Sequence, residues 1–287
     1  MDTETHVIAA YGTLAGPVEL GGREWSTFDW ADRCGRAAEA GLRGLGIWHA
    51  DLEHLLERRK PKEIRRIFDD HGLDHLELEF LTDWFLDGDE EARRRKDLLF
   101  EAAAELGARH IKVGDMFGRS CPPARMGERF AGLCAEAADR HGALLVYEPM
   151  PFGAGAAPLD DALEVVGAAR TGNGGLALDT WHLARLGVTP DELRRVPPHL
   201  LAYVELSDGT AGNGDDLLLE AATRRRFPGE GDFDVAGYVR AAREIGYDGP
   251  WGVEVLSADL RDTPLRDMAR RAYGSAAAVL ARPEARP

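Results

Sequence analysis

The sequence is poor in cysteine. Cys34, Cys121 and Cys134 are an odd set of three, at spacings that match no metal knuckle, which excludes a disulfide scaffold and points to reduced, cytoplasmic thiols. No run approaches the length of a membrane span, and the N-terminal "MDTETHVIAAYG" has neither a basic region nor a long apolar one, so no signal peptide is expected. Basic residues are in deficit: 35 Lys and Arg against 50 Asp and Glu leave a formal net charge of −15. A phosphate backbone asks for a basic stripe, so nucleic acid is not the expected partner. The first strand lacks a following G-x-G-x-x-G, so the dinucleotide-binding fingerprint is missing too.

What is present is an ordinary globular composition, 44% hydrophobic and 30% charged over 287 residues, enough for a sizeable core. Short apolar runs alternate with amphipathic segments. The candidate strands are "HVIAAYG", "LRGLGIWH", "HLELEFL", "HIKVGDM", "ALLVYEP", "LALDTWH", "LLAYVELSD" and "WGVEVLS". Helical spacing links Leu99, Ala102, Ala103 and Leu106 behind the candidate caps Asp87 and Asp89. It recurs at Leu159, Ala162, Leu163 and Val166 after Pro158, and at Val235, Tyr238, Val239 and Ala242 before Gly246. Eight such β–α units predict one (β/α)8 TIM barrel over residues 1–287, ahead of a doubly wound open sheet. One long polar insertion, "SDGTAGNGDDLLLEAATRRRFPGEGD", follows the seventh strand and reads as a candidate lid.

In a parallel barrel the C-terminal strand ends face the active site. Strand five ends in Glu148, strand six in Asp179 with His182 just beyond. Strand seven carries Glu205 and then Asp208, and strand eight carries Glu254. One acid at a strand end is more often a helix cap or a solvated loop charge. Four on consecutive strands converge, and converging carboxylates repel unless a cation or protons neutralise them. An all-oxygen set suits a hard divalent ion, Mg²⁺ or Mn²⁺, with Co²⁺ an alternative. Such an ion polarises a carbonyl or alkoxide while carboxylates at its edge move protons.

The motifs "VYEP", "LALDTWH", "VELSDG", "RFPGEGDFD" and "WGVEV" resemble the xylose isomerase-like TIM barrels, the sugar phosphate isomerase/epimerase group, over essentially the whole chain. The resemblance implies that Glu148 and Glu254 bind the metal and double as acid and base on opposite faces of a substrate carbon. It makes Asp179 a ligand and puts His182 on a substrate oxygen. Arg225 or Arg226 would hold another. In strand seven the sequence departs from the family pattern, with Glu205 where a histidine ligand is usual and Asp208 as the retained acid; Glu205 is taken as the fourth ligand and Asp208 as a substrate-binding residue.

Trp48 and His49, Trp84 and Phe85, Met116 and Phe117, Phe152, and Trp181 beside His182 form an expected aromatic rim for stacking on substrate, and Lys112, odd in a strand interior, is expected to point into the same pocket. No Gly-rich or Lys-rich loop offers a phosphate grip, so an unphosphorylated, carbohydrate-like small molecule is the expected substrate. The reading placed first is a metal-dependent isomerase or epimerase of an α-hydroxy carbonyl, working through an enediolate. A lyase or dehydratase of the same barrel is the alternative. A non-catalytic binding subunit follows, and a DNA-repair endonuclease is disfavoured by charge and by few strand-end histidines. The oligomeric state is left open, a homo-oligomer included.

Overall fold

The computed structural model describes residues 6–282 apart from 141, 153–157, 213 and 215. Eight parallel strands close into a barrel in sequence order. They are β1 (Val7–Ala9), β2 (Gly44–Trp48), β3 (His75–Leu81), β4 (His110–Gly114), β5 (Leu144–Glu148), β6 (Gly174–Asp179), β7 (Leu201–Leu206) and β8 (Trp251–Val253). β1 pairs with β2 on one side and with β8 on the other, which leaves no edge. Each apolar run of the sequence yields one strand. The runs are nearly continuous because a parallel strand is covered on both faces. Among the described residues no helix is long and apolar enough to cross a membrane.

The helices end where the sequence marks them. Asp89, rather than Asp87, accepts the amide of Ala92 and opens Glu90–Leu106. Gly107 closes that helix with φ of 63°, and Gly246 closes Val235–Ile245 with φ of 98°, left-handed conformations that favour glycine. The main apolar core lies between the barrel and this helical coat, with Leu145, Tyr147, Leu176 and Leu178 pointing outward into it.

The inside of the barrel is different. Its apolar content is a small cluster of Ile8, Val146, Ala177 and Tyr203. Beyond that the buried strand side chains include Glu77, Glu79, His110, Lys112 and Glu205, where barrels of this type ordinarily stack branched aliphatics. Glycines make the room. A Cβ on Gly46 would lie 2.3 Å from Glu79 Oε1 and 2.6 Å from the Tyr11 amide, and one on Gly252 would lie 2.2 Å from the Tyr203 hydroxyl. Gly46→Ala is therefore expected to destabilise the fold by about 1–3 kcal/mol through overpacking. Urea unfolding of the two proteins checks this, and an unchanged midpoint would mean that Glu79 has room to move.

Candidate active site

Asp179 is the last residue of β6 and also caps the helix Thr180–Leu186. Its Oδ1 accepts the amides of Trp181 and His182 at 2.6 and 3.1 Å. The cap fixes the carboxylate, so Oδ2 projects into the barrel mouth, and the same helical turn brings the His182 ring alongside. Glu148 closes β5 and Glu254 follows β8 directly. Glu148, Asp179, His182 and Glu254 each offer a ligand atom within 4.8 Å of the others. Three are acids named from strand ends; His182 was expected on the substrate and joins them.

Two buried cations frame this cluster. Arg225 comes from the insertion after β7, and its Nη1 lies 2.6 Å from Asp179 Oδ2 and 3.0 Å from a Glu254 oxygen. Its Nη2 reaches His182 Nε2 at 3.1 Å, its Nε donates to the Ala221 carbonyl, and its guanidinium lies 5.0 Å from the centre of the Trp181 ring. On the barrel side Lys112 Nζ sits 2.8 and 3.0 Å from the two oxygens of Glu205, 3.0 Å from Glu79 and 3.1 Å from Glu254. Burial works against the ammonium, but Glu205, Glu254 and Glu79 outweigh it and hold the lysine charged well above its ordinary pKa.

These surroundings split the acids. Burial pushes the Glu148 carboxyl well up, against the pull of Lys112. Burial likewise raises Asp179, to about 6, although Arg225 opposes it. Glu254 is as buried, yet Lys112 and Arg225 together overcome the desolvation and hold it down at about 2. Burial, with Arg225 beside it, keeps His182 neutral. Because a guanidinium can only donate, His182 Nε2 accepts from Arg225 and the ring proton sits on Nδ1.

The donor set fits a metal ion. Glu148 Oε1 is buried without a hydrogen-bond partner, and it faces the unprotonated His182 Nε2 at 3.4 Å. Two acceptors held that close need a proton or a cation between them. Three carboxylates and one imidazole are ligands that a divalent ion of intermediate hardness accepts.

The other expected site residues fall into place differently. Glu205 is held by both its oxygens on Lys112 and is not one of the four clustered groups, so the structure gives it the part of counter-ion where a ligand was expected. Asp208 accepts the amides of Gly229, Gly231 and Phe233 at 3.0–3.1 Å and anchors the P-G-E-G-D loop instead of meeting substrate. Arg226 is exposed and in extended pairing with Asp208; alternation turns it outward and Arg225 inward. Trp84 packs on Phe85, Phe130 and Tyr147 between barrel and helices. His49 lies behind Trp48, with ring centres 4.7 Å apart, and burial drops its pKa to about 3. Trp48, Met116 and Phe152 do line the cavity, whereas Phe117 is half exposed. Trp181 is fully buried under Arg225.

Sequence reading missed Glu77 and Glu79. Both are buried; Glu79 Oε1 accepts the Tyr11 amide at 2.7 Å, and burial outweighs Lys112 to raise its carboxyl to about 8. The signal was the i, i+2 spacing of two acids in "HLELEFL".

Comparison with known proteins places the fold in a family. The family model described as xylose isomerase-like TIM barrel matches residues 34–280. A 3-dehydroshikimate dehydratase of Pseudomonas aeruginosa is 29% identical over 242 residues, which are 80% of this chain and 36% of that protein. A protein of the same name from Pseudomonas putida is 25% identical over 238 residues, 81% of this chain and 37% of its own length. The chain thus spans little more than a third of these curated relatives. Among solved structures, the IOLI protein with a bound zinc atom superposes with a TM-score of 0.79 at 16% identity, covering 96% of this chain and 98% of that one.

Two outcomes are expected from the site as built. Since burial holds Glu148 and Asp179 above their usual values, these carboxyls keep protons that a metal must displace. Mn²⁺ uptake should release protons and tighten as pH rises through about 6. Calorimetry in buffers of different ionisation enthalpy measures this, and uptake without proton release would contradict the raised carboxyls. Replacing Lys112 by Met strands three acids without their shared cation and should destabilise the metal-free protein by roughly 3–5 kcal/mol. Coupling it to Glu205→Leu should recover part of that loss in urea unfolding; a purely additive double variant would mean that the two side chains do not act as a pair.

Proposed function

Because this chain belongs to the xylose isomerase-like TIM-barrel family, we propose that it is a divalent-metal-dependent lyase that eliminates water from a hydroxylated ketone. The observation that carries the reading is the four-residue cluster of Glu148, Asp179, His182 and Glu254 at the barrel mouth, with an unpartnered carboxylate oxygen beside a neutral imidazole. The names of the curated relatives, both dehydratases, put elimination ahead of the isomerisation that the sequence alone placed first.

Mn²⁺ is the proposed ion, held by those four side chains; once bound, it would polarise the substrate carbonyl and lower the barrier to losing the neighbouring proton. One of the protein's own carboxylates moves the proton. Glu254, kept ionised by Lys112 and Arg225, takes the proton from the carbon next to the carbonyl. The same Glu254 carboxyl then gives that proton to the departing β-hydroxyl, while Glu148, whose proton the ion would displace, serves as a ligand. The C–H electron pair becomes the new carbon–carbon double bond, the C–O pair leaves with oxygen, and water is the second product. Arg225 holds Asp179 and Glu254 in place, and in the metal-free protein it occupies His182 Nε2, a hydrogen bond that ligation by that nitrogen would replace.

The test is Mn²⁺-loaded protein incubated with hydroxylated cyclic ketones, 3-dehydroshikimate among them, and followed by mass spectrometry and by the ultraviolet band of the conjugated product. Loss of one water is expected, and Glu148→Gln and Glu254→Gln should each reduce kcat by about 10²–10⁴-fold. A product of unchanged mass that takes up one solvent deuteron in D₂O would make the enzyme an isomerase or epimerase instead.

A further inference from the structure

The cavity above the cluster is chemically lopsided. It measures about 530 Å³ and opens from Glu148, His182 and Glu254 towards solvent, within the roughly 300–1,000 Å³ typical of sites that enclose a whole small molecule. Trp48, Phe80, Met116, Met150, Phe152 and Leu219 supply much of its wall. Phe80, Met150 and Phe152 belong to an apolar cluster of their own, separate from the core that holds the barrel to its helices. At the rim Leu20 and Leu219 stand 46% and 54% exposed, among the few large apolar side chains left open to water. They come from two different segments, the β1 loop and the insertion helix Leu217–Thr223, and border the same opening.

The charges on this wall are as one-sided as its apolar groups. Glu19, Glu24 and Asp216 line its outer part, while Glu79, Glu148 and Glu254 lie at its floor beside Lys112 and Arg225. Its cations among the described residues are Arg225 and Arg261. Arg225 already donates to Asp179, Glu254, His182 and the Ala221 carbonyl, and Arg261 sits at the rim facing Glu19 at 3.4 Å. The Trp48 indole N–H is taken by Glu24. Away from the ion at the cluster, a carboxylate on the outer part of a ligand would face Glu19, Glu24 and Asp216 with no disengaged arginine or lysine to receive it. A neutral ligand with an apolar portion meets no such penalty and gains burial against the aromatic wall.

We propose that the substrate is a neutral hydroxylated ring ketone that carries an aryl or alkyl group, with the hydroxy-ketone end at the four-residue cluster and the apolar group against Trp48, Phe80 and Phe152. The assignment rests on the metal-dependent lyase reading and parts company with the curated relatives at the substrate: the one in their name, 3-dehydroshikimate, is a carboxylate.

Calorimetric titration of the Mn²⁺-loaded protein tests it with three probes: phenyl β-D-glucoside, which is neutral, unreactive and aryl-bearing; D-glucose, which lacks the aryl group; and 3-dehydroshikimate. Leu219→Lys and Leu20→Lys are examined alongside, both at exposed positions outside the cluster, with Mn²⁺ affinity measured separately for every protein. The phenyl glucoside is expected to bind at least about tenfold more tightly than either other probe. That advantage should fall severalfold in Leu219→Lys with Mn²⁺ affinity unchanged. The assignment is overturned if 3-dehydroshikimate binds as tightly as the phenyl glucoside, or if the aryl advantage survives both lysine variants. Failure of the lyase reading looks different: no Mn²⁺ uptake, or no water lost from any ketone, while the aryl preference and its sensitivity to Leu219→Lys persist.

Discussion

The site depends on one buried ammonium. Lys112 stands inside the barrel with Glu79, Glu205 and Glu254 all within 3.1 Å of its Nζ. Burial alone raises the Glu79 and Glu205 carboxyls even with the lysine beside them; without it, Glu254 too would lose the charge that holds it ionised. With it, the acids of β3, β7 and the end of β8 share a single counter-charge. The consequences reach the reactive groups: Glu254 stays ionised at the mouth because Lys112 lies below it and Arg225 beside it. The cluster above is therefore built on an electrostatic floor, not on a packed aliphatic layer.

That floor has a lower storey. His110 Nε2 lies 2.8 Å from Glu77, and His75 Nε2 lies 3.1 Å from His110 Nδ1. Burial keeps both histidines neutral, with pKa values down at about 3 and about 2. The barrel interior is thus a column of hydrogen-bonded polar groups, terminated above by the cluster and bounded by the small cluster of Ile8, Val146, Ala177 and Tyr203. Polar interiors of this kind specify geometry strongly, because each member has few alternative partners. The glycines facing the column on β2 and β8 have the same origin: polar side chains reaching across the barrel need the space that a Cβ would fill.

The alternation of strands and helices was legible because each parallel strand is a short apolar run, and the barrel followed from counting eight of them. The strand-end acids were legible because a carboxylate directly after such a run needs a reason. The interior acids were not, for the converse reason. In "HLELEFL" the alternation of leucine and glutamate imitates a half-exposed strand whose polar face meets water; only closure of the sheet turns that face inward, and closure is not a local property. Arg225 and Arg226 are neighbours in sequence, and the choice between them waited on the Asp208 pairing that sets which one faces in. Trp84 and His49 follow strands as the cavity residues do, but the direction of a loop side chain depends on the helix packed above it. Glu205 holds the position of a strand-end ligand, and its commitment to Lys112 became visible once β4 and β7 were seen to face one another across the barrel.

Arg225 joins Asp179 at the end of β6 to Glu254 beyond β8, yet it is carried by the insertion that follows β7. The guanidinium is therefore a removable counter-ion. Lifting the insertion away would leave two buried carboxylates facing each other with their shared positive charge gone, an unfavourable state for the empty protein. A divalent ion in the cluster supplies that charge from within. The insertion can then separate from the barrel at lower free energy when the site is loaded than when it is bare, so occupancy by the ion and freedom of the cavity wall are thermodynamically linked, and by reciprocity whatever holds the wall down weakens the ion's grip.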